Sequence, residues 1–276
     1  MVQENILNSA DKGFTGSIPK LYEQYMVPMI FEPYAADLGN RVASRLPGRV
    51  LEIAAGTGVV TRTLASVLPE SVSIVATDLN QPMLDLACEI GTVRPVAWRQ
   101  ADAMQLPFDD SAFDLVVCQF GAMFFPDRPK AFSEARRVLR SGGVLIFNVW
   151  DRIEENEFAH TVTTALESMF PDDPPRFMAR TPHGYHDLPT IAQDLNAGGF
   201  RSSPQFSTVA ARSHAASPRV PAVAYCQGTP LRSEIEARDQ SLLGAATDLA
   251  EEAISERFGA GPVDGKIQAH IVTIER

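Results

Sequence analysis

Residues 49 to 61, RVLEIAAGTGVVT, constrain this chain more than any other stretch. Arg49 to Ile53 reads as a short buried strand, and Gly56-Thr57-Gly58 sets two glycines in the turn that follows. Apolar residues then resume at helical spacing through Val60, Leu64 and Leu68. Strand, glycine turn and helix in that order open a nucleotide-binding α/β unit. A side chain in the turn would hold a ligand off the backbone, which is why glycine is wanted there. Glu52, close to the strand end, is a poor neighbour for a pyrophosphate and a good one for a positive charge. The expected ligand therefore carries a sulfonium or an ammonium.

A second strand, Val72 to Thr77, ends in Asp78, about twenty residues after the glycine turn. An acid at that offset accepts hydrogen bonds from the ribose hydroxyls of an adenosine. Dinucleotides and S-adenosylmethionine share that ribose, so Asp78 alone does not choose between them.

The third landmark is a strand near Pro95 to Arg99, followed by Gln100-Ala101-Asp102-Ala103-Met104 and then LPFDDSAFD, Leu106 to Asp114. With these residues the chain resembles the class I S-adenosylmethionine-dependent methyltransferases, in particular the small-molecule branch that includes quinone-biosynthesis enzymes. Glu52 to Gly58 is similar to that family's first motif, Asp78 to its ribose-binding acid, and Asp102 to the acid that bonds the adenine amino group. GAMFFPD, Gly121 to Asp127, and ARRVLRSGG, Ala135 to Gly143, resemble the segments flanking the fourth helix. The resemblance covers roughly residues 45 to 150. Where the family has glycine this chain has Ala54, so a slightly more open first turn is expected.

The resemblance implies S-adenosylmethionine as cofactor and S-adenosylhomocysteine as product. Around them it places the Ala54, Gly56, Thr57 and Gly58 backbone on the methionine portion, with Glu52 holding the turn. It places Asp78 on the ribose, with Leu79 and Met83 beside the ring, and Asp102, Ala103 and Met104 on the adenine. Gln119 faces the ammonium, Phe120 and Met123 line the methyl side, and Tyr22 and Tyr25 offer aromatic faces to the sulfonium. Methyl transfer is an in-line displacement at an activated carbon, so placement of the acceptor and exclusion of water supply most of the rate. No Gly-x-Ser-x-Gly elbow or HExxH is present. His183 and His186, in PHGYH, lack an evident third ligand, and no metal is expected.

Two other readings remain. A nicotinamide-dependent reductase would want a third glycine at Thr61, or a tyrosine followed by lysine four positions on, and neither is present. A non-catalytic protein that binds the cofactor is the second alternative.

The fold class expected is α/β: a Rossmann-like, seven-stranded, mostly parallel sheet with its last strand antiparallel and helices on both faces. Residues 1–48 read as an N-terminal helical cap, 49–150 as the cofactor core, and 151–276 as completion of the sheet plus a helical lid. In the cap, Pro28 and Pro33 are expected to break the pattern into two or three short helices. Gly142-Gly143 is expected to stop a helix over Lys130–Leu139. A long helix is expected from about Leu231 to Phe258, within an insertion between strands six and seven.

The net charge of −10 repels nucleic acid and anionic membranes and leaves small molecules as partners, with the chain a monomer or homodimer. Phe158, Met169, Phe170, Phe177 and Met178 hint at an apolar acceptor. Three scattered cysteines and a first segment without an apolar core point to the cytosol. Only four basic residues are lysine, which hints at a GC-rich bacterial genome.

Overall fold

The structure, a computed structural model, describes residues 13–276. Its strands are β1 Arg49–Ile53, β2 Ser73–Asp78, β3 Ala97–Gln100, β4 Phe113–Gln119, β5 Leu139–Trp150, β6 Gln205–Ala215 and β7 Val263–Glu275. They form one sheet in the order β3-β2-β1-β4-β5-β7-β6, with the last strand antiparallel, as the sequence led us to expect. β1, β2 and β4 are buried along nearly their whole length, the mark of a parallel sheet covered on both faces. The helices are α1 Ile18–Leu21, α2 Glu32–Ala43, α3 Val59–Val67, α4 Gln81–Ile90, α5 Arg128–Val138, α6 Glu157–Met169, α7 Phe177–Arg180, α8 Leu188–Ala197, α9 Arg219–Gln227, α10 Leu231–Arg238 and α11 Leu243–Phe258. Among the described residues no helix is long and apolar enough to cross a membrane.

The chain divides into two compact units. One comprises Glu32–Val149, His186–Val209 and His270–Arg276, and it holds the motifs of the cofactor core. The other comprises the described residues up to Phe31, Trp150–Tyr185 and Ala210–Ala269. This second unit is largely helical: α11 packs on α6 and α9, and α10 packs on α9 and α7. Phe158, Leu166, Phe177, Leu231, Ile235 and Ile254 are sealed in its core. Arg180 bonds Glu234 at 2.7 Å and Lys266 bonds Glu155 at 2.6 Å at its edges.

Three local expectations need correction. Pro28 does not break the N-terminal helix; it sits inside a π-helix, Tyr22–Phe31, continuous with α1 before it and α2 after it. Proline removes one N–H, and the wider turn of a π-helix accommodates the ring that an α-helix would have to kink around.

Gly142-Gly143 does not end α5, which stops at Val138 and runs directly into β5. The two glycines form an irregularity within the strand: Phe113 pairs with Leu139, but Leu115 pairs with Val144. Gly142 is left-handed at φ +73°, and a Cβ on Gly143 would lie 2.8 Å from the Arg140 carbonyl oxygen.

The long helix over 231–258 is two helices, separated by a 3₁₀ turn at Gln240–Leu242. Asp239 leaves the helical region at φ −160° and caps that turn by accepting from the Ser241 N–H at 2.8 Å. An aspartate competes with helix continuation in just this way.

Candidate functional site

Because β1 to β5 run parallel, their C-terminal ends share one edge of the sheet, where open α/β sheets bind ligands. Register makes the arrangement specific. Glu52 pairs with Ala76 and with Val117, and Val117 pairs with Ile146. Two residues further along, side chains return to the same face. Asp78, Ala54, Gln119 and Asn148 therefore stand side by side in one row at the strand ends.

The turn after β1 is left-handed at three alternate positions: Ala54 (φ +55°), Gly56 (φ +57°) and Gly58 (φ +85°). At Gly58 the glycine is required twice, because a Cβ would also lie 2.8 Å from the Trp98 ring. At Ala54 the chain carries a side chain in a region that alanine disfavours by about 1–2 kcal/mol. That strained residue answers the expected glycine departure. The turn is pinned to β2 by Ala55 N–H to the Thr77 carbonyl (2.9 Å) and by Gly56 N–H to Asp78 Oδ2 (2.8 Å).

Glu52 is buried, and its Oε2 accepts from the Thr61 hydroxyl at 2.6 Å. Thr77 Oγ1 donates to the Glu52 carbonyl at 2.9 Å. Burial lifts the Glu52 pKa to about 8; the Thr61 hydrogen bond and Arg62 oppose the rise, and the charge of Asp78 adds to it. Thr61 thus has a positive role where a dinucleotide fold wants glycine. It holds the acid that such a fold would avoid.

Asp78 is buried as well, and burial pushes its pKa up, against hydrogen bonds from the Asn80 and Gly56 N–H groups. Its Oδ1 accepts from Asn80 N–H at 2.8 Å. Oδ1 also accepts from Asn80 Nδ2 at 3.4 Å, while Oδ2, which accepts from Gly56 N–H, has a second lone pair for a ligand hydroxyl. Leu79, next along, is exposed, whereas Met83 is packed into the core side of α4. Asp102 closes a tight turn in which its Oδ1 accepts from Met104 N–H and its carbonyl accepts from Gln105 N–H, both at 2.9 Å. Ala103 is buried, and Asp102 and Met104 are half-buried.

β4 ends in buried Gln119, and Phe120 follows in the left-handed region at φ +49°. The Phe120 N–H donates to Asn148 Oδ1 at 2.8 Å, and its ring meets Tyr34 edge-on at 5.3 Å. A Cβ on Gly121 would fall 2.5 Å from Ala54 Cβ and 2.7 Å from Cys118 Sγ, so the turns after β1 and β4 touch here. Cys118 is buried, and its thiol is pushed up to about 12 by that burial. Met123 is fully buried in the 3₁₀ turn Ala122–Phe124.

Asp110 and Asp114 of LPFDDSAFD serve as scaffold. Arg137 bonds Glu134, Asp110 and the carbonyls of Leu106 and Phe108, and Glu134 Oε2 accepts from Leu106 N–H at 2.8 Å. The Arg137 hydrogen bonds hold Glu134 below the ordinary glutamate range. Asp114 Oδ2 accepts from Gly48 and Arg49 N–H at 2.6 and 2.8 Å, tying the start of β1 to β4.

The remaining candidates lie in the other unit. Tyr22, on the π-helix, stacks on Phe31 at 5.0 Å and meets Phe14 edge-on, and Tyr25 is half-buried. Phe158, Phe177 and Met178 are core residues of that unit, while Met169 and Phe170 are half-buried. His183 is buried with Nδ1 at 2.9 Å from the Asp151 carbonyl, an ordinary satisfied core histidine. Among the described residues no group of three or more His, Cys, Asp and Glu side chains is placed to hold a metal ion.

Sequence reasoning missed Asn148. The available signal was its position as the sole polar residue in the run VLIFNVW, Val144 to Trp150.

Comparison with known proteins agrees with this geometry. A family model described as a methyltransferase domain matches residues 51–147. The ubiquinone/menaquinone biosynthesis C-methyltransferase UbiE of Escherichia coli is 29% identical over 174 residues, covering 58% of this chain and 69% of the relative. Among solved structures, the YcgJ protein of Bacillus subtilis superposes with a TM-score of 0.54 at 18% identity, over 88% of this chain and 99% of that one. Phosphoethanolamine N-methyltransferase 2 of Haemonchus contortus, solved with phosphomonomethylethanolamine and S-adenosylhomocysteine, gives a TM-score of 0.60 at 19% identity, over 98% of this chain and 61% of that one.

Proposed function

We propose that this chain is a class I S-adenosylmethionine-dependent methyltransferase that transfers the methyl group to a small, largely apolar acceptor by in-line displacement. The observation that carries the reading is the sequence of groups along the strand-end edge: Asp102 after β3, Asp78 ending β2, the Glu52–Gly58 turn after β1, and Gln119 ending β4. Adenine, ribose and a methionine chain have their polar groups in that order. The similarity to UbiE, a C-methyltransferase of quinone biosynthesis by name, supports an apolar acceptor.

The residues present suit the cofactor. A buried acid whose pKa is lifted to about 8 is stabilised by a cation brought beside it. Thr57 Oγ1, buried in the glycine turn, has no hydrogen-bond partner among the described residues and can bond a ligand. In the proposed assignment the Ala54–Gly58 backbone takes the methionine portion and Asp78 the ribose hydroxyls, beside Leu79 and Met83. Asp102, Ala103 and Met104 read the adenine; Gln119 takes the ammonium, with Phe120 and Met123 beyond it. The bound cofactor supplies a methyl group already activated on sulfur. The chain's own contribution is to hold the two reactants in line and keep water out, which needs no nucleophile from the protein.

Calorimetry on the full chain tests this reading. S-adenosylhomocysteine is expected to bind at micromolar levels and NADP not at all. Asp78→Ala is expected to weaken that binding by about 1.5–3 kcal/mol, the usual worth of hydrogen bonds to a charged group. Asp102→Ala should cost less. Tight NADP binding with no heat from the sulfur nucleoside would overturn the assignment.

A further inference from the structure

Asn148 has no place in the assignment above, yet it stands in the same row as Asp78, Ala54 and Gln119. It is fully buried, and its side-chain amide is half used. Oδ1 accepts from Phe120 N–H at 2.8 Å, while Nδ2, equally buried, has no hydrogen-bond partner among the described residues. The orientation of the amide is not arbitrary. Turning it over would set the two hydrogens of Nδ2 against the Phe120 N–H, donor against donor. The unmatched group is therefore a donor.

A buried donor without a partner is rare in native proteins, and each instance calls for a reason. Support of the Phe120 turn is not a sufficient one. The Asn148 backbone carbonyl already lies 3.3 Å from the same N–H, and an apolar side chain would fill the position without stranding a donor.

Strand order supplies the reason. β3, β2, β1, β4 and β5 lie side by side, with neighbours about 4.8 Å apart. In the proposed function the first four ends carry adenine, ribose, methionine and ammonium contacts. β5 is the next position, beside the strand end assigned to the methionine portion, the part of the cofactor that carries the methyl group.

We propose that Asn148 Nδ2 donates a hydrogen bond to an oxygen of the methyl acceptor, so that the enzyme selects acceptors presenting a carbonyl, enol or phenol oxygen there. The inference rests on the cofactor assignment made above. A donor held rigidly by its own Oδ1 contact fixes the position of that oxygen and stabilises negative charge on it, which orients an electron-rich ring or enol for attack on the methyl carbon. Asn148 is thus a specificity residue, and the class of acceptor is an oxygen-bearing unsaturated nucleus.

The test uses the full chain labelled with ¹⁵N, S-adenosylhomocysteine as cofactor probe and 2-naphthol as acceptor probe. The Asn148 side-chain NH₂ signals are identified by their loss in Asn148→Leu. Adding 2-naphthol to the S-adenosylhomocysteine complex of the wild type is expected to shift those signals and slow their exchange with water. Asn148→Leu and Asn148→Asp are each expected to lower 2-naphthol affinity about tenfold or more. S-adenosylhomocysteine affinity should stay within about threefold of wild type, the allowance for a small shift of the Phe120 turn. Should Asn148→Leu fold poorly, the near-isosteric Asn148→Asp supplies the same assignment, and the wild-type spectrum then decides.

A signal that moves fully with S-adenosylhomocysteine alone, together with variants that lose cofactor and keep 2-naphthol, would assign the donor to the methionine carboxylate and overturn the proposal. Absence of 2-naphthol binding to the loaded wild type would overturn the acceptor class. Absence of S-adenosylhomocysteine binding to the wild type would instead refute the cofactor reading beneath it.

Discussion

Glu52 should make the stability of this protein fall as pH rises through neutrality, and Glu52→Gln should remove that fall. The carboxyl is buried, and its folded pKa stands at about 8 against an ordinary 4.5. The raised value means that the folded state holds the proton more tightly than the unfolded one. The corresponding stability is fully present below pH 4.5 and is lost progressively between 4.5 and about 8. At about 1.36 kcal/mol per pH unit, that window is worth at most about 5 kcal/mol. Glutamine keeps an oxygen for the Thr61 hydroxyl and cannot ionise, so the variant should gain on the wild type across the window and hold its advantage above it.

The same proton connects stability to ligand. A cation beside Glu52 favours the carboxylate, so binding at pH 7 should release a proton, and affinity should rise with pH up to about 8, by no more than tenfold per unit. Urea denaturation of both proteins from pH 5 to 9 reads the first effect. Calorimetry of S-adenosylmethionine binding in buffers of different ionisation enthalpy reads the second. A stability difference between the two proteins that stays constant from pH 5 to 9 would mean that Glu52 is already ionised in the folded chain, and the reasoning from burial would fail.

Two further substitutions separate strain and scaffold from binding. Ala54→Gly removes a left-handed alanine that costs about 1–2 kcal/mol and introduces a glycine whose freedom costs about 0.5–1 kcal/mol, so the urea midpoint should rise by the equivalent of up to about 1.5 kcal/mol. A fall would show that the methyl contact at Gly121 outweighs the strain. Asp114→Ala strips the acceptor from the Gly48 and Arg49 N–H groups and should cost about 1–3 kcal/mol in equilibrium unfolding, with S-adenosylhomocysteine affinity within about twofold of wild type. Lost affinity at unchanged stability would place Asp114 in the site.

The sheet was legible because its signals are local. β1, β2 and β4 are apolar runs closed by turns, and Glu52, Asp78 and Asp102, in β1, ending β2 and following β3, fall at offsets that the fold itself imposes. What stayed hidden depended on partners far away in sequence. Pro28 reads as a helix break because the α-helix is the usual reference, and nothing in the sequence reveals that a π-turn will absorb the ring. Gly142-Gly143 reads as a helix stop, the commonest use of glycine after a helix. Its actual use depends on the Asp114 backbone across the sheet, whose carbonyl oxygen would lie 3.1 Å from a Cβ on Gly143.

The acids of LPFDDSAFD show the converse. Their spacing carries the resemblance to the methyltransferases, but Asp110 is spent on Arg137 and Asp114 on the N–H groups opening β1, so a motif can be diagnostic of a fold without touching a ligand.

Thr61 and Asn148 carry the lesson furthest. In the sequence, Thr61 counts only as a missing glycine and Asn148 only as a polar break in VLIFNVW. In space, Thr61 holds the buried acid, and Asn148 ends one row with Asp78 and Gln119. That row exists because parallel strands bring positions far apart in the chain into register, and register is a property of pairing that no single strand encodes. A polar residue inside a buried parallel strand is expensive there unless something bonds it. Near a strand's C-terminal end, such a residue therefore points to ligand chemistry, and it does so in the amino-acid sequence alone.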